Sequence, residues 1–171
     1  HYPVVVSATG IFGSPITPDI PGMSSFQGQL IHSSQYRHPD QARDKQVLVV
    51  GNGPSGVDIA IEATTTARQP VHIAIRSGID LRPRYPYGLP RHAWMMIGEK
   101  LPERWCDWLQ VKTNNLRYSQ QERYGLRRPP ADTVSASAVP YRGPGLINAV
   151  RAGHVQPVTA PVAFDGDQVQ L

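Results

Sequence analysis

Lys45-Gln-Val-Leu-Val-Val50, followed at once by Gly51-Asn52-Gly53-Pro54-Ser55-Gly56, decides the fold. Val47 to Val50 is a continuous apolar run, the pattern of a central parallel strand covered on both faces. It leads directly into glycines spaced G-x-G-x-x-G. Beyond them Val57, Ala60, Ile61 and Thr64 recur at helical spacing, and Val71-His-Ile-Ala-Ile75 supplies a second apolar strand. Strand, glycine turn, helix and strand form a βαβ unit. The fold class is therefore α/β, a Rossmann-like parallel-sheet nucleotide-binding domain.

The spacing matters because each position of the turn has its own physical demand. Gly51 permits the tight turn, Gly53 lets the backbone approach a pyrophosphate, and Gly56 lets the helix pack closely on the sheet. Free backbone N–H groups and the helix dipole then favour a doubly negative ligand at this point. Asn52 and Pro54 complete the loop, and the Ser55 hydroxyl adds a donor, so Gly51 through Gly56 are the candidate cofactor-binding residues. Arg76 follows the second strand where an acid would bind the ribose 2′-OH of NAD. A guanidinium there suits a 2′-phosphate and favours NADP(H). Asp58, one turn into the helix, is a dipole-favoured acid and receives no role.

Further along, Pro83, Pro86 and Pro90 interrupt the pattern. An amphipathic stretch from Arg91 to Leu116 then carries Trp94, Trp105 and Trp108, which fits helices inserted into the nucleotide domain over roughly 80–145. The tryptophans suit core packing or contact with an apolar substrate. Residues 145–152 suggest a short helix. Asp165-Gly166, between alternating apolar residues of Val155 to Leu171, suggests a C-terminal β-hairpin whose second strand is cut at Leu171. At the other end, Tyr2 to Gly10 looks like the end of a buried strand, and prolines at 15, 18 and 21 mark a stiff connector. Residues 1–22 thus form a stub and connector, and 23–171 the nucleotide-binding domain.

Composition bounds the function. The chain of 171 residues carries a formal net charge of +4, with eleven Lys/Arg against five Asp/Glu between Arg76 and Arg128. A solvated basic face, a phosphate-bearing ligand, nucleic acid or an anionic membrane would each fit such an excess. No aromatic-basic RNA motif or helix-turn-helix accompanies it, so nucleic acid is not expected as a partner. No apolar run is long enough for a transmembrane helix. Cys106 is the only cysteine, which precludes an internal disulfide or a CxxC site and fits a cytoplasmic setting.

One more stretch carries a pattern: Phe26-Gln-Gly28-Gln-Leu-Ile-His32-Ser-Ser-Gln-Tyr36. Read from residues alone, it is a phenylalanine and a glycine leading into a short strand, then a His and a Tyr near a loop. The arrangement F-x-G-x-x-x-H-x-x-x-Y ahead of G-x-G-x-x-G resembles the fingerprint of flavin-containing monooxygenases and their Baeyer–Villiger relatives. Phe26, Gly28, His32 and Tyr36 carry that likeness, with Ala8-Thr-Gly10 and the Pro18 to Gly22 connector before them.

The resemblance implies an enzyme holding FAD and NADPH. NADPH reduces the flavin, O₂ is captured as a C4a-hydroperoxide, and one oxygen atom passes to a small amine, sulfide or carbonyl substrate. It also implies that FAD is held by segments outside this chain, which by itself is expected to be inactive. His32 and Tyr36 are then placed at the domain junction as positioning residues, with no catalytic side chain assigned. Two other readings share the βαβ unit: the NAD(P)H domain of a pyridine nucleotide–disulfide reductase, and a non-catalytic NADP(H)-binding module. Reductases of the thioredoxin-reductase type carry CxxC in this domain, which is missing here, and have no reason to carry the Phe26 to Tyr36 run.

Overall fold

A computed structural model describes residues 15–76, 78–79, 81–82, 96, 121–127, 141–142 and 145–171. Strand β1 (Gln46–Val50) leads through the glycine turn into helix α1 (Pro54–Ala63), and β2 (Arg68–Ala74) returns parallel to β1. Pro54 stands at the first helical position, where its missing N–H costs nothing. Val57, Ala60 and Ala63 form the fully buried stripe of α1. The Thr64 and Thr65 hydroxyls donate back to the carbonyls of Ile61 and Glu62, both at 2.7 Å, as the helix ends.

Two short strands, β3 (Leu81–Arg82) and β4 (Tyr141–Arg142), pair parallel with each other, so the chain leaves and returns at one place. Of the expected insert between them only Met96 and residues 121–127 are described, and Trp94, Trp105, Cys106 and Trp108 lie outside the described residues. Helix α2 (Gly145–Arg151) is the expected short helix and buries Leu146 completely. It delivers the chain to β5 (Val155–Val158), which pairs parallel with β2 from Val71 opposite Val155 to Ala74 opposite Val158. The sheet order is β1-β2-β5. Val57, Val71, Ile73, Leu126, Leu146 and Val155 make the centre of the core. Burying each such side chain contributes about 1.5–3 kcal/mol.

Several elements differ from expectation. The apolar run of β1 predicts a central strand covered on both faces, but among the described residues β1 pairs with β2 alone. Val47 and Val49 pack on the core, whereas Val50 is 51% exposed. Among the described strands the central one is β2, because α2 brings β5 to its far edge. Val155 therefore belongs to the sheet and not to the hairpin. The hairpin itself is β6 (Ala163–Asp165) and β7 (Gln168–Gln170), antiparallel and closed by Asp165 opposite Gln168. Its turn is Gly166-Asp167, one residue later than expected, because the glycine takes the positive φ of 57° directly after the last paired residue of β6. The short strand expected after Phe26 does not form. Residues 26–32 are unpaired as strand, and the 3₁₀ turn Ser33–Gln35 follows.

Candidate functional site

The glycine turn lies at the carboxyl ends of the parallel strands, where open α/β sheets offer a crevice to ligands. The Gly51 N–H donates to the Ala74 carbonyl at 3.3 Å, which pins the turn to the end of β2. Gly51 has φ 114°, a conformation that side chains rarely adopt. A Cβ at Gly56 would collide with the Gly51 carbonyl oxygen and lie 3.2 Å from its carbon. That is the close packing of helix on turn anticipated from the motif. Above Gly53, by contrast, an added Cβ meets nothing within 4 Å among the described residues, and the same holds at Gly51. These two positions face open space.

Gly53 is the N-cap of α1 and has no side chain to satisfy the first amides. Its carbonyl accepts from Val57 N–H at 3.0 Å, and Pro54 has no N–H to offer. The N–H groups of Ser55 and Gly56 precede the first helical bond and have no partner within the helix. They are donors held at the positive end of the helix dipole. The Asn52 amide is used differently, since its Nδ2 donates to the Gly78 carbonyl at 2.5 Å and ties the turn to the segment after β2. Arg76 is exposed two residues past β2 and has no ion pair or hydrogen bond among the described residues. Turn and Arg76 thus follow neighbouring strand ends, and among the described residues the donors and the positive charge are uncommitted.

The second group of sequence-marked residues forms a wall beside this turn. Phe26 meets Phe164 edge-on, ring centroids 5.0 Å apart and planes at 66°. Gly28 leaves the room that the Phe26 ring occupies, since a Cβ there would strike the ring. His32 caps the Ser33–Gln35 turn: its Nδ1 accepts from Ser34 N–H at 3.2 Å and lies 2.8 Å from Ser34 Oγ, while its own N–H donates to Gln35 Oε1 at 3.2 Å. An accepting Nδ1 places the proton of the neutral ring on Nε2. The Tyr36 hydroxyl is buried beside the Glu62 carboxylate. Burial first, and the nearby Glu62 carboxylate second, push its phenol above the ordinary value.

A groove of about 1210 Å³ runs between the connector, the Gly28 to Tyr36 segment, the outer side of β1, the glycine turn and the hairpin. Ile16, Leu30, Ile31, Val50 and Leu171 are exposed and all border it. Reading the sequence missed Phe164 and Gly22 as parts of this wall. The apolar alternation around Phe164 and the Pro21-Gly22 pair were the available signals. Among the described residues no group of His, Cys, Asp or Glu could hold a metal ion, and no helix is long and apolar enough to cross a membrane.

Parallel sheet, glycine turn and strand-end arginine define an α/β domain of the Rossmann type. The family model described as flavin-binding monooxygenase-like matches residues 2–155, and the chain belongs to that family. Dimethylaniline monooxygenase [N-oxide-forming] 4 of Rattus norvegicus is 37% identical over 133 residues, which are 73% of this chain and 23% of that protein. Probable indole-3-pyruvate monooxygenase YUCCA1 of Arabidopsis thaliana is 30% identical over 158 residues, 89% of this chain and 38% of that protein. The chain therefore spans well under half the length of these relatives. A double mutant of a flavin monooxygenase from Stenotrophomonas maltophilia shares the fold, with a TM-score of 0.51 at 18% identity, over 92% of this chain and 34% of that one.

Proposed function

We propose that this chain is the NADP(H)-binding portion of a cytoplasmic, FAD-dependent monooxygenase that uses NADPH and O₂ to oxygenate a small amine, sulfide or carbonyl compound. The observation that carries the reading is the open space over Gly51 and Gly53 at the N-terminus of α1. A pyrophosphate seated there would accept from the Ser55 and Gly56 N–H groups, with the Ser55 hydroxyl as a further donor. Arg76 would meet the 2′-phosphate, a charge-assisted pairing that NADH does not offer. The residues present fit the dinucleotide in charge, in donor type and in the room left by the missing side chains.

The sequence holds one G-x-G-x-x-G, and one such turn serves one dinucleotide. FAD is therefore assigned to other segments of a longer protein, in keeping with the share of its relatives that this chain spans. When bound, the flavin supplies the hydride acceptance and oxygen activation that no side chain here could provide. This chain's own residues bind and orient the nucleotide. The apolar border of the groove, from Ile16 to Leu171, supports further protein covering this side and excluding water. His32 and Tyr36 are assigned to positioning the Phe26 to Tyr36 segment between the connector and β1, without proton transfer.

NADPH consumption and O₂ uptake by the full-length protein, assayed across amines, sulfides and ketones, test the proposal. Substrate-dependent, coupled consumption of both is expected. A full-length protein that purifies without flavin, or that reduces a disulfide with NADPH, would overturn it. The 171-residue chain alone is expected to take up NADP⁺ weakly and to catalyse nothing.

A further inference from the structure

The Phe26 to Tyr36 segment is fastened at its two ends to two different elements. At the first end, Phe164 N–H donates to the Pro21 carbonyl at 2.8 Å and Gln27 N–H donates to the Gly166 carbonyl at 2.9 Å, so connector and hairpin are laced together. Between these bonds the Phe26 and Phe164 rings meet edge to face, and Phe164 is buried to 8% exposure. Gly22, at φ 78°, packs so closely that a Cβ would collide with the Phe164 carbonyl. At the other end, the Ser33–Gln35 turn packs on α1, and the Tyr36 hydroxyl lies near Glu62 of the same helix. In the middle, Lys45 Nζ donates to Gln29 Oε1 at 2.6 Å, beside the start of β1.

We propose that this segment is a strap that ties the hairpin to the nucleotide helix, and that Phe164, seated by Gly22, is a positioning residue for nucleotide binding. The mechanical argument follows from those attachments. Helix α1 carries the donors of the glycine turn at its N-terminus, and the strap bears on its flank near Glu62. The only aromatic grip at the far end of the strap, among the described residues, is Phe164. Releasing that ring frees the wall of the groove that runs from Phe26 past Gly28 to the turn. The nucleotide would then close against a wall whose order it must restore, which lowers affinity without removing any group that touches it. This inference rests on the NADP(H) reading of the turn.

The test is a double-mutant cycle on the full-length, flavin-loaded protein, with Phe26→Ala, Phe164→Ala and the pair, read as NADP⁺ affinity by equilibrium titration. Each single variant is expected to weaken NADP⁺ by roughly 3- to 10-fold, the fold-change of one aromatic pair. The double variant should be no weaker than the worse single one, and Phe164→Tyr should restore affinity. Phe164→Leu, which keeps apolar volume and loses the ring edge, serves if the alanine variant does not fold. Unchanged affinity in all variants overturns the proposal, as do losses that add, since two independent rings make no clasp. Hydrogen exchange at the Gln27 amide separates the two possible failures. If Phe164→Ala leaves that amide as protected as before, the clasp is refuted; if the unmodified protein binds no NADP⁺ at all, the cofactor reading falls and the positioning role with it.

Discussion

Gly53→Ala and Gly56→Ala lie three residues apart on one turn, yet the geometry assigns them opposite outcomes. At Gly56 the new methyl would enter the Gly51 carbonyl, a backbone group that cannot swing aside as a side chain would. Overpacking of this kind costs about 1–3 kcal/mol. The better helix propensity of alanine returns up to about 1 kcal/mol, leaving a net loss on the order of 1–2 kcal/mol. For a chain of this size that lowers Tm by about 3–8 °C. Because the displaced group is Gly51 itself, NADP⁺ affinity should fall as well. At Gly53 the backbone has φ −68° and ψ 171°, open to any residue, and among the described residues nothing lies within 4 Å of the new methyl.

Gly53→Ala should therefore keep its Tm within about 3 °C, allowing for the poorer alanine N-cap. Its methyl stands where the pyrophosphate must approach, so NADP⁺ should weaken by roughly 10-fold or more, about 1.4 kcal/mol per decade. Thermal melts paired with nucleotide titration give both numbers on the same samples. A Gly53→Ala protein that binds NADP⁺ as well as the unmodified one would refute the cradle, and a Gly56→Ala protein of full stability would refute the packing argument.

Removal of Arg76 by Arg76→Ala should weaken NADPH by roughly 10- to 100-fold, the worth of one charge-assisted contact, and leave NADH nearly unchanged in the same titration. Asn52→Ala loses the bond to the Gly78 carbonyl and should cost about 1 kcal/mol in urea unfolding, with faster exchange of the turn amides. Tyr36→Phe removes the ionisable hydroxyl beside Glu62 and should change stability at pH 7 by no more than about 1 kcal/mol. Since the folded state raises the Tyr36 pKa, its neutral form is favoured below the ordinary value near 10, and the unmodified protein loses stability as pH climbs from there through the raised value. In melts of both proteins between about pH 7 and 11, the unmodified protein should lose stability relative to Tyr36→Phe at the alkaline end.

Much of the βαβ unit was legible because its determinants are local. Apolar runs, glycine spacing and a helical period act within a few residues of one another, and Val57, Ala60 and the Gly56 contact came out as the pattern required. That β1 pairs with β2 alone among the described residues was not legible, since a strand's neighbours are set by distant segments and its own sequence reports only burial. The same holds for β5, whose Val-Gln-Pro-Val gives no sign that α2 will lay it against β2. Within the candidate site, Gly51 to Gly56 and Arg76 were visible in the chain. Phe164 was not, because its contact with Phe26 spans most of the sequence and no spacing rule connects them. Asn52 stands inside the glycine turn by its position in the motif, but its amide is spent on Gly78 across 26 residues.

The central claim is that the turn from Gly51 to Gly56, with Arg76, binds NADP(H). Amide-resolved NMR of the ¹⁵N-labelled chain, titrated in parallel with NADP⁺ and NAD⁺, tests it most directly, since shift changes register even weak binding residue by residue. NADP⁺ should move the amides of Gly51, Gly53, Ser55, Gly56 and Arg76 ahead of all others, with NAD⁺ acting on the turn at higher concentration and leaving Arg76 nearly still. Shifts that avoid the turn, or equal responses to the two nucleotides at Arg76, would contradict the account.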